Sequence, residues 1–435
     1  MCINKIFKAY DIRGIYPDEI NEDVAFKIGR ATAKFLKAKE LIIGRDNRLS
    51  SDSLSNSLIN GIIDQGVNVI DAGLITTPAF YYSSLNGKFK GGIMITASHN
   101  PKEYNGFKII GKKAISIGIN SGLLKIKKLA EKNKFRSNEK GEIKKVSIYD
   151  SYIKNVLRFI KIKDIKEIKV VIDTSNGIAG KIIPMLFEKL PCELIHINSE
   201  LDGNLINSSN ENLQEKVLIE KADLGVCFDG DGDRILFIDD NGDKIDPDLI
   251  SALLINYLLP NKGKIVHTAA SSRNLTDQIE KTNNIAIDSK VGHTFVQQEM
   301  KMEKAIFACE SSGHYFLKEN NYLESPLIIL LKILEIVSKR PLSSLIEPFN
   351  IYITEKINIK VNNKKAFKKL KRRIKRKYKK TTEIYELDGI SVERKTWWFN
   401  IRMSNTEPII KIIIEAKRKD ILERKKEELF KLIPF

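Results

Sequence analysis

Asp229, Asp231 and Asp233 stand at alternate positions, with Gly230 and Gly232 between them. They follow the apolar run Leu224-Gly225-Val226-Cys227-Phe228, which reads as a buried strand entering a loop. Glycine lets the backbone turn tightly enough for three side chains to converge. Converged carboxylates repel one another without a cation among them, and hard oxygen ligands suit Mg²⁺ or Ca²⁺. A calcium EF-hand loop needs Gly at its sixth position and Glu at its twelfth; Arg234 and Asp240 stand there instead. A solvated acidic turn seldom combines three carboxylates with two glycines and no lysine. The segment is therefore read as a divalent-cation site. Mg²⁺ keeps coordination positions open for water or phosphate, so a second partner is expected elsewhere.

Three further segments carry complementary chemistry. The strand-like Gly91–Ile95 runs into Thr96-Ala97-Ser98-His99-Asn100-Pro101, where a hydroxyl at a loop tip could act as nucleophile or phosphate acceptor. Most such serines only bond their own backbone; beside the aspartate triplet this one gains weight, since a phosphorylated Ser98 would offer the metal an anionic oxygen. Arg402-Met403-Ser404-Asn405-Thr406 supplies a planar fork and neutral donors suited to a phosphate dianion, and equally suits an ordinary turn. Cys309-Glu310-Ser311-Ser312-Gly313-His314 could grip sugar hydroxyls and shuttle a proton.

These four segments, in this order, resemble the α-D-phosphohexomutases, and most the phosphomannomutase/phosphoglucomutase branch. Phe7-Lys8-Ala9-Tyr10-Asp11-Ile12-Arg13-Gly14 is similar to that branch's opening signature, and Tyr104-Asn105-Gly106-Phe107-Lys108 follows the serine loop as in the family. Asn405 points to this branch, because phosphoglucosamine mutases usually have Gly there. The resemblance covers essentially the whole chain. It departs at Cys309, where many relatives have Gly, and at Ile206-Asn207-Ser208-Ser209-Asn210, where prolines and a His are usual.

The resemblance implies three related mixed α/β domains and a smaller C-terminal α+β domain around a central cleft. It implies reversible interconversion of hexose 1-phosphate and hexose 6-phosphate, for mannose and/or glucose, through a phosphoserine and a bisphosphorylated sugar. Ser98 would carry the phosphoryl group and, with Asp229, Asp231 and Asp233, hold Mg²⁺; Arg234 would support that loop. Arg13, Lys108 and His314 would share proton transfer and charge stabilisation. Glu310 and Ser312 would read the sugar, with Tyr10 and His293 as further substrate contacts. Arg402, Ser404, Asn405 and Thr406 would hold the non-reacting phosphate. Glucose 1,6-bisphosphate, or its mannose analogue, would serve as activator.

The elements needed to position these residues are legible as repeated α/β units. Short apolar strands such as Ile42-Ile43-Gly44 and Asn68-Val69-Ile70 alternate with helical stretches at Glu22–Leu36 and Ser53–Gln65, which argues for sheets covered on both faces. The domain bounds are read as 1–145 (phosphoserine loop), 146–246 (metal), 247–350 (sugar) and 351–435 (phosphate), the first boundary lying in the polar stretch Glu131–Lys145. A chain of 435 residues accommodates about three or four domains. No amino-terminal apolar segment reads as a signal peptide, and the longest apolar run, Pro326–Val337, is interrupted by Lys332 and Glu335. Four scattered cysteines fit reduced thiols, and a cytoplasmic enzyme is expected.

The formal net charge is +18, and twelve Lys or Arg with no acid fall in Lys364–Lys380, leaving +6 elsewhere. Phe367, Leu370, Ile374 and Tyr378 recur there at helical spacing, so the segment is read as a surface helix with one apolar stripe. Its field could draw phosphorylated hexoses to the site. A phosphoglucosamine mutase is the alternative within the same chemistry. A nucleic-acid-binding protein using the 364–380 helix is the alternative of a different class. No membrane partner is expected.

Overall fold

The computed structural model describes residues 5–87, 89–134, 139–205, 210–259, 262–360, 364–379, 383–404 and 409–433. Ile206 to Ser209, Asn405 and Thr406 therefore lie outside the described residues. The chain divides into two compact units, one of Met1–Ile245 with Leu323–Ser343, the other of Asp246–Tyr322 with Ser344–Phe435.

The first unit holds two sheets. One comprises β1 (Ile12–Ile15), β2 (Glu40–Arg45), β3 (Asn68–Leu74), β4 (Gly92–Ile95), β5 (Tyr104–Ile110) and β6 (Ile143–Lys145), in the order β1-β5-β4-β2-β3-β6. The helices Glu22–Leu36, Ser51–Ile63 and Leu124–Lys132 give apolar residues to its core, among them Ile28, Leu58 and Ile126. Asn21 caps the first of them, its side chain accepting from the Val24 amide, and Glu22 and Asp23 occupy the first turn, where the helix dipole favours acids. The polar stretch read as a boundary ends in β6, an exposed three-residue strand paired in parallel with β3.

The second sheet comprises β7 (Ile168–Asp173), β8 (Cys192–Ile197), β9 (Leu224–Phe228), β10 (Ile235–Ile238) and β11 (Lys244–Ile245), in the order β11-β10-β9-β7-β8. All five residues of β9 are buried, because an interior strand covered on both faces is apolar throughout. The helix Pro326–Val337, which falls between 247 and 350 in the sequence, packs in this first unit against the helix Tyr149–Leu157. It is apolar on nearly every face and correspondingly buried.

The second unit holds β12 (Lys264–Thr268), β13 (Ile285–Ser289), β14 (Phe307–Cys309) and β15 (Tyr315–Leu317), ordered β13-β12-β14-β15. After β16 (Leu323–Glu324), which belongs to the first unit, an antiparallel sheet is formed by β17 (Ile353–Lys360), β18 (Glu383–Tyr385), β19 (Ile390–Arg394), β20 (Trp397–Met403) and β21 (Ile409–Ala416). The helices Lys364–Tyr378 and Lys419–Phe430 cover it through Leu370, Ile374, Leu422 and Leu429. The stripe read from the sequence is thus core, with Phe367 packed at its margin.

The three α/β sheets share one arrangement. In each, a first strand is flanked in parallel by the second and third, and the fourth returns antiparallel to the third: β3-β2-β4-β5, β8-β7-β9-β10 and β13-β12-β14-β15. The loop between the third and fourth strands carries Ser98 in the first sheet, the aspartate triplet in the second and Glu310 to His314 in the third. Among the described residues no helix is long and apolar enough to cross a membrane.

Candidate active site

In the first unit β4, buried over all four residues, delivers the chain to Ser98. Ser98 is 1% exposed and left-handed, with φ +52°. A non-glycine residue there is uncommon, and such conformations gather at functional loops. Its amide donates to Thr96 Oγ1 at 2.8 Å, its Oγ donates to Asp229 Oδ2 at 3.0 Å, and His99 Nδ1 lies 3.3 Å from that Oγ.

The aspartate loop leaves β9 in a turn closed by the Gly232 amide on the Asp229 carbonyl at 3.0 Å, with Gly232 at φ +68°. A Cβ on Gly230 would stand 2.8 Å from the Ser98 carbonyl oxygen, so this glycine lets the two loops touch. Asp229, Asp231 and Asp233 each present an oxygen within 4.8 Å of the others. Asp231 Oδ2 accepts from Thr77 Oγ1 and from Lys108 Nζ, both at 2.7 Å, and Asp233 Oδ2 accepts from Lys108 Nζ at 2.5 Å. Oδ1 of Asp231 is buried and accepts no hydrogen bond. Burial alone would pull the Lys108 pKa down, but Asp231 and Asp233 outweigh it and hold the group well above its ordinary range. Lys108 and the more distant Arg234 bring two positive charges to three converging carboxylates, which leaves negative charge in a largely buried pocket. That residue of charge, the hard oxygen donors and the orphaned Asp231 oxygen fit a divalent cation such as Mg²⁺.

Arg13 sits on β1. Its Nε donates to Asp11 Oδ2 at 2.7 Å, and its Nη1 donates to the Ala97 carbonyl at 3.1 Å and Asn100 Oδ1 at 2.6 Å. Burial opposes its charge, yet Asp11 and its neighbours raise the Arg13 pKa further. Tyr10 is half-buried just before β1 and acts on Arg13 electrostatically. Arg234 donates from Nη2 to His99 Nδ1 at 2.7 Å, and its Nε lies 3.7 Å from Asp229 and 3.9 Å from Asp233. Because Arg234 can only donate, His99 Nδ1 accepts, which links the serine loop to the metal loop.

In the second unit, the loop after β14 turns on Gly313, at φ +91°, and the Glu310 amide pairs with the His314 carbonyl at 3.0 Å. Glu310 Oε1 accepts from the Gly292 amide at 2.8 Å, while Oε2 lies 3.2 Å from His314 Nδ1. Ser312 Oγ is 3.0 Å from the same nitrogen. His293 opens the helix His293–Glu303, its ring centroid 6.0 Å from that of His314. Arg402, at the end of β20, lines a cavity of about 230 Å³ together with Glu310, Ser312, Lys356, Asn358 and Lys411. The Ser404 amide donates to the Ile409 carbonyl at 2.9 Å.

Sequence reasoning missed Lys356, Asn358 and Lys411, which β17 and β21 bring to this cavity. Alternation along a strand does not say which polar positions face a site. It also missed Thr77, which donates to Asp231, and Arg48, whose Nη2 donates to the Ser98 carbonyl at 2.7 Å. The sole local signal for Arg48 was an Asp and an Arg two apart at the end of an apolar strand.

Family models described as phosphoglucomutase/phosphomannomutase match nearly all of the chain: alpha/beta/alpha domain I at residues 4–137, domain II at 150–242, domain III at 246–352 and the C-terminal domain at 357–432. The sequence is 37% identical to a phosphomannomutase of Vibrio cholerae over 98% of both chains. It is also 37% identical to a phosphomannomutase/phosphoglucomutase of Pseudomonas syringae, over 96% of this chain and 93% of that one. Among solved structures, a phosphoglucomutase/phosphomannomutase family protein from Burkholderia thailandensis superposes with a TM-score of 0.88 at 29% identity, covering 98% of this chain and 96% of that one.

Proposed function

The chain belongs to the α-D-phosphohexomutase family, in its phosphomannomutase/phosphoglucomutase branch, and from that premise we propose how it interconverts hexose 1-phosphates and hexose 6-phosphates. Ser98 is the phosphoryl carrier. The observation that carries this reading is the Ser98 Oγ at 3.0 Å from Asp229, at the edge of the converging carboxylates. In the forward half-reaction the bond between phosphorus and Ser98 Oγ breaks, and a bond forms to the sugar hydroxyl oxygen, whose proton leaves. The second half-reaction reverses this at the other end of the bisphosphate, restoring phosphoserine.

Asp229, Asp231 and Asp233, with a phosphorylated Ser98, would hold Mg²⁺. The ion would supply neutralisation of charge spreading over the phosphoryl oxygens. Arg13, held charged beside Asp11, and Lys108, paired with Asp231 and Asp233, stabilise negative charge. His314 is the proposed proton carrier: Glu310 Oε2, 3.2 Å from Nδ1, favours the tautomer with hydrogen on Nδ1, in which Nε2 is the basic nitrogen. Glu310 and Ser312 read sugar hydroxyls, with His293 and Tyr10 as further contacts. Arg402 and Ser404, joined by Asn405 and Thr406, take the non-reacting phosphate; Lys356 and Lys411 add charge to the same cavity.

The bounds 1–145, 146–246, 247–350 and 351–435 are proposed as the serine, metal, sugar and phosphate domains. Glucose 1,6-bisphosphate is the proposed activator. A cytoplasmic location is proposed on the free thiols of Cys192, Cys227 and Cys309. Phosphoglucosamine mutase and nucleic-acid-binding readings are not favoured, since the chain matches a phosphomannomutase and a phosphomannomutase/phosphoglucomutase over nearly its full length.

The test is turnover of glucose 1-phosphate and of mannose 1-phosphate to their 6-phosphates, with Mg²⁺ and a trace of glucose 1,6-bisphosphate. Turnover of both that collapses in Ser98→Ala is expected. Undiminished turnover in Ser98→Ala would overturn the carrier assignment.

A further inference from the structure

We infer that Arg48 is a positioning residue for Ser98, acting on phosphoryl transfer only by fixing the backbone of the serine loop; this rests on Ser98 being the phosphoryl carrier. The Arg48 side chain is fully buried, and all five of its N–H groups are used. Nε donates to Asp46 Oδ2 at 3.1 Å. Nη1 donates to the carbonyls of Pro101 at 2.8 Å and Tyr104 at 2.9 Å. Nη2 donates to the carbonyls of Ser98 and Asn100, both at 2.7 Å. Four carbonyls spread over seven residues of the loop thus converge on one planar fork.

The consequence for Ser98 is specific. Its carbonyl is committed to Arg48 and its amide to Thr96, so the left-handed backbone is held from both sides. What remains is the side-chain torsion that swings Oγ towards Asp229. Asp46 anchors the fork in turn: its Oδ1 accepts from the Arg48 amide at 3.1 Å and Ser51 Oγ at 2.5 Å. Asn105 Nδ2 donates to Ser50 Oγ at 2.8 Å and Ser51 Oγ at 3.0 Å, so the far end of the loop is tied to the same short segment. Burial works against both charges of the pair, pushing Asp46 up. Removing either partner would leave a buried charge alone. Lysine cannot replace the fork, because an ammonium has three donors on a flexible stem and no plane. A displacement of about 1 Å at a reacting group can cost about 10²-fold in rate.

Arg48→Lys and Arg48→Ala test this. The readouts are steady-state kinetics with glucose 1-phosphate and single-turnover transfer of labelled phosphate from glucose 1,6-bisphosphate to the free hydroxyl of Ser98, in enzyme first stripped of its phosphate. The expected result is a kcat lower by about 10²-fold, KM within about twofold, and Ser98 labelling slowed by the same factor as kcat. Millimolar guanidinium should restore part of the labelling rate in Arg48→Ala, while equal ammonium should not. Labelling of either variant as fast as wild type, or a lower kcat without slower labelling, would overturn the assignment. If both variants are unfolded at the assay temperature, the role is structural and the inference fails. Wild type that takes no label at Ser98 overturns the carrier reading itself, and that is visible before any variant is made.

Discussion

Lys108 Nζ donates to Asp231 Oδ2 at 2.7 Å, tying the strand that follows the serine loop to the loop that would hold the metal. The same ammonium reaches Asp233, so it neutralises part of the charge a divalent cation would meet. In Lys108→Met these buried carboxylates lose their cation. In a chelator the variant should be less stable by about 3–5 kcal/mol, the usual cost of breaking a buried pair. Mg²⁺ should then raise its melting temperature more than that of wild type. Equal Mg²⁺ shifts would show that lysine and metal do not share the carboxylates.

Gly230 is where the metal loop meets the serine loop, and a methyl group there would stand 2.8 Å from the Ser98 carbonyl. Gly230→Ala should push the loops apart, at a cost of about 1–3 kcal/mol from overpacking. Its kcat should fall at least about tenfold, because Asp229 no longer meets Ser98 Oγ. Urea denaturation and steady-state kinetics measure the two effects separately; an unchanged kcat would mean the close approach is dispensable.

Asp248 lies behind the sugar loop, accepting from Ser311 Oγ at 2.8 Å and from the Ser272 amide at 2.7 Å, with its second oxygen buried and unpartnered. Burial, helped by Asp246, pushes this carboxyl up to about 7. The folded chain then holds a proton that the unfolded chain, at about 3.9, has released. That contribution to stability is fully present below about pH 4 and is lost as pH rises through about 7. Asp248→Asn imitates the neutral acid and should remove the slope. Between pH 5 and pH 8 wild type should lose about 2–3 kcal/mol relative to the variant. Parallel stability curves for the two proteins would contradict the elevated carboxyl.

The basic helix makes an opposite pair of predictions. Leu370, on its inner face, is fully buried, and Leu370→Ala should cost about 2–5 kcal/mol. Lys369 and Arg372 are exposed, and replacing both by Gln should change stability by less than about 0.5 kcal/mol each. The same double variant should show a lower kcat/KM at low ionic strength only if the positive field steers phosphorylated substrate. Part of that field is already spent locally, since Lys371 and Lys375 both pair with Glu386.

Chemistry confined to a few neighbouring residues is legible in the amino-acid order. Alternating aspartates and glycines after an apolar run specify a converged acidic turn wherever that run lies, and Phe367, Leu370, Ile374 and Tyr378 specify one buried helical face. That three sheets repeat one strand order, with their reactive loops at the same hairpin position, emerges from the folded chain alone. Strand order is set by which long-range pairings bury both faces of a sheet, and no local period records it. Likewise Lys108 meets Asp231, Arg48 meets the Ser98 carbonyl, and Lys356 and Lys411 join Glu310 and Arg402 across wide separations in the chain. A buried charge takes whichever opposite charge or carbonyl packing brings within reach, and packing is a property of the folded chain.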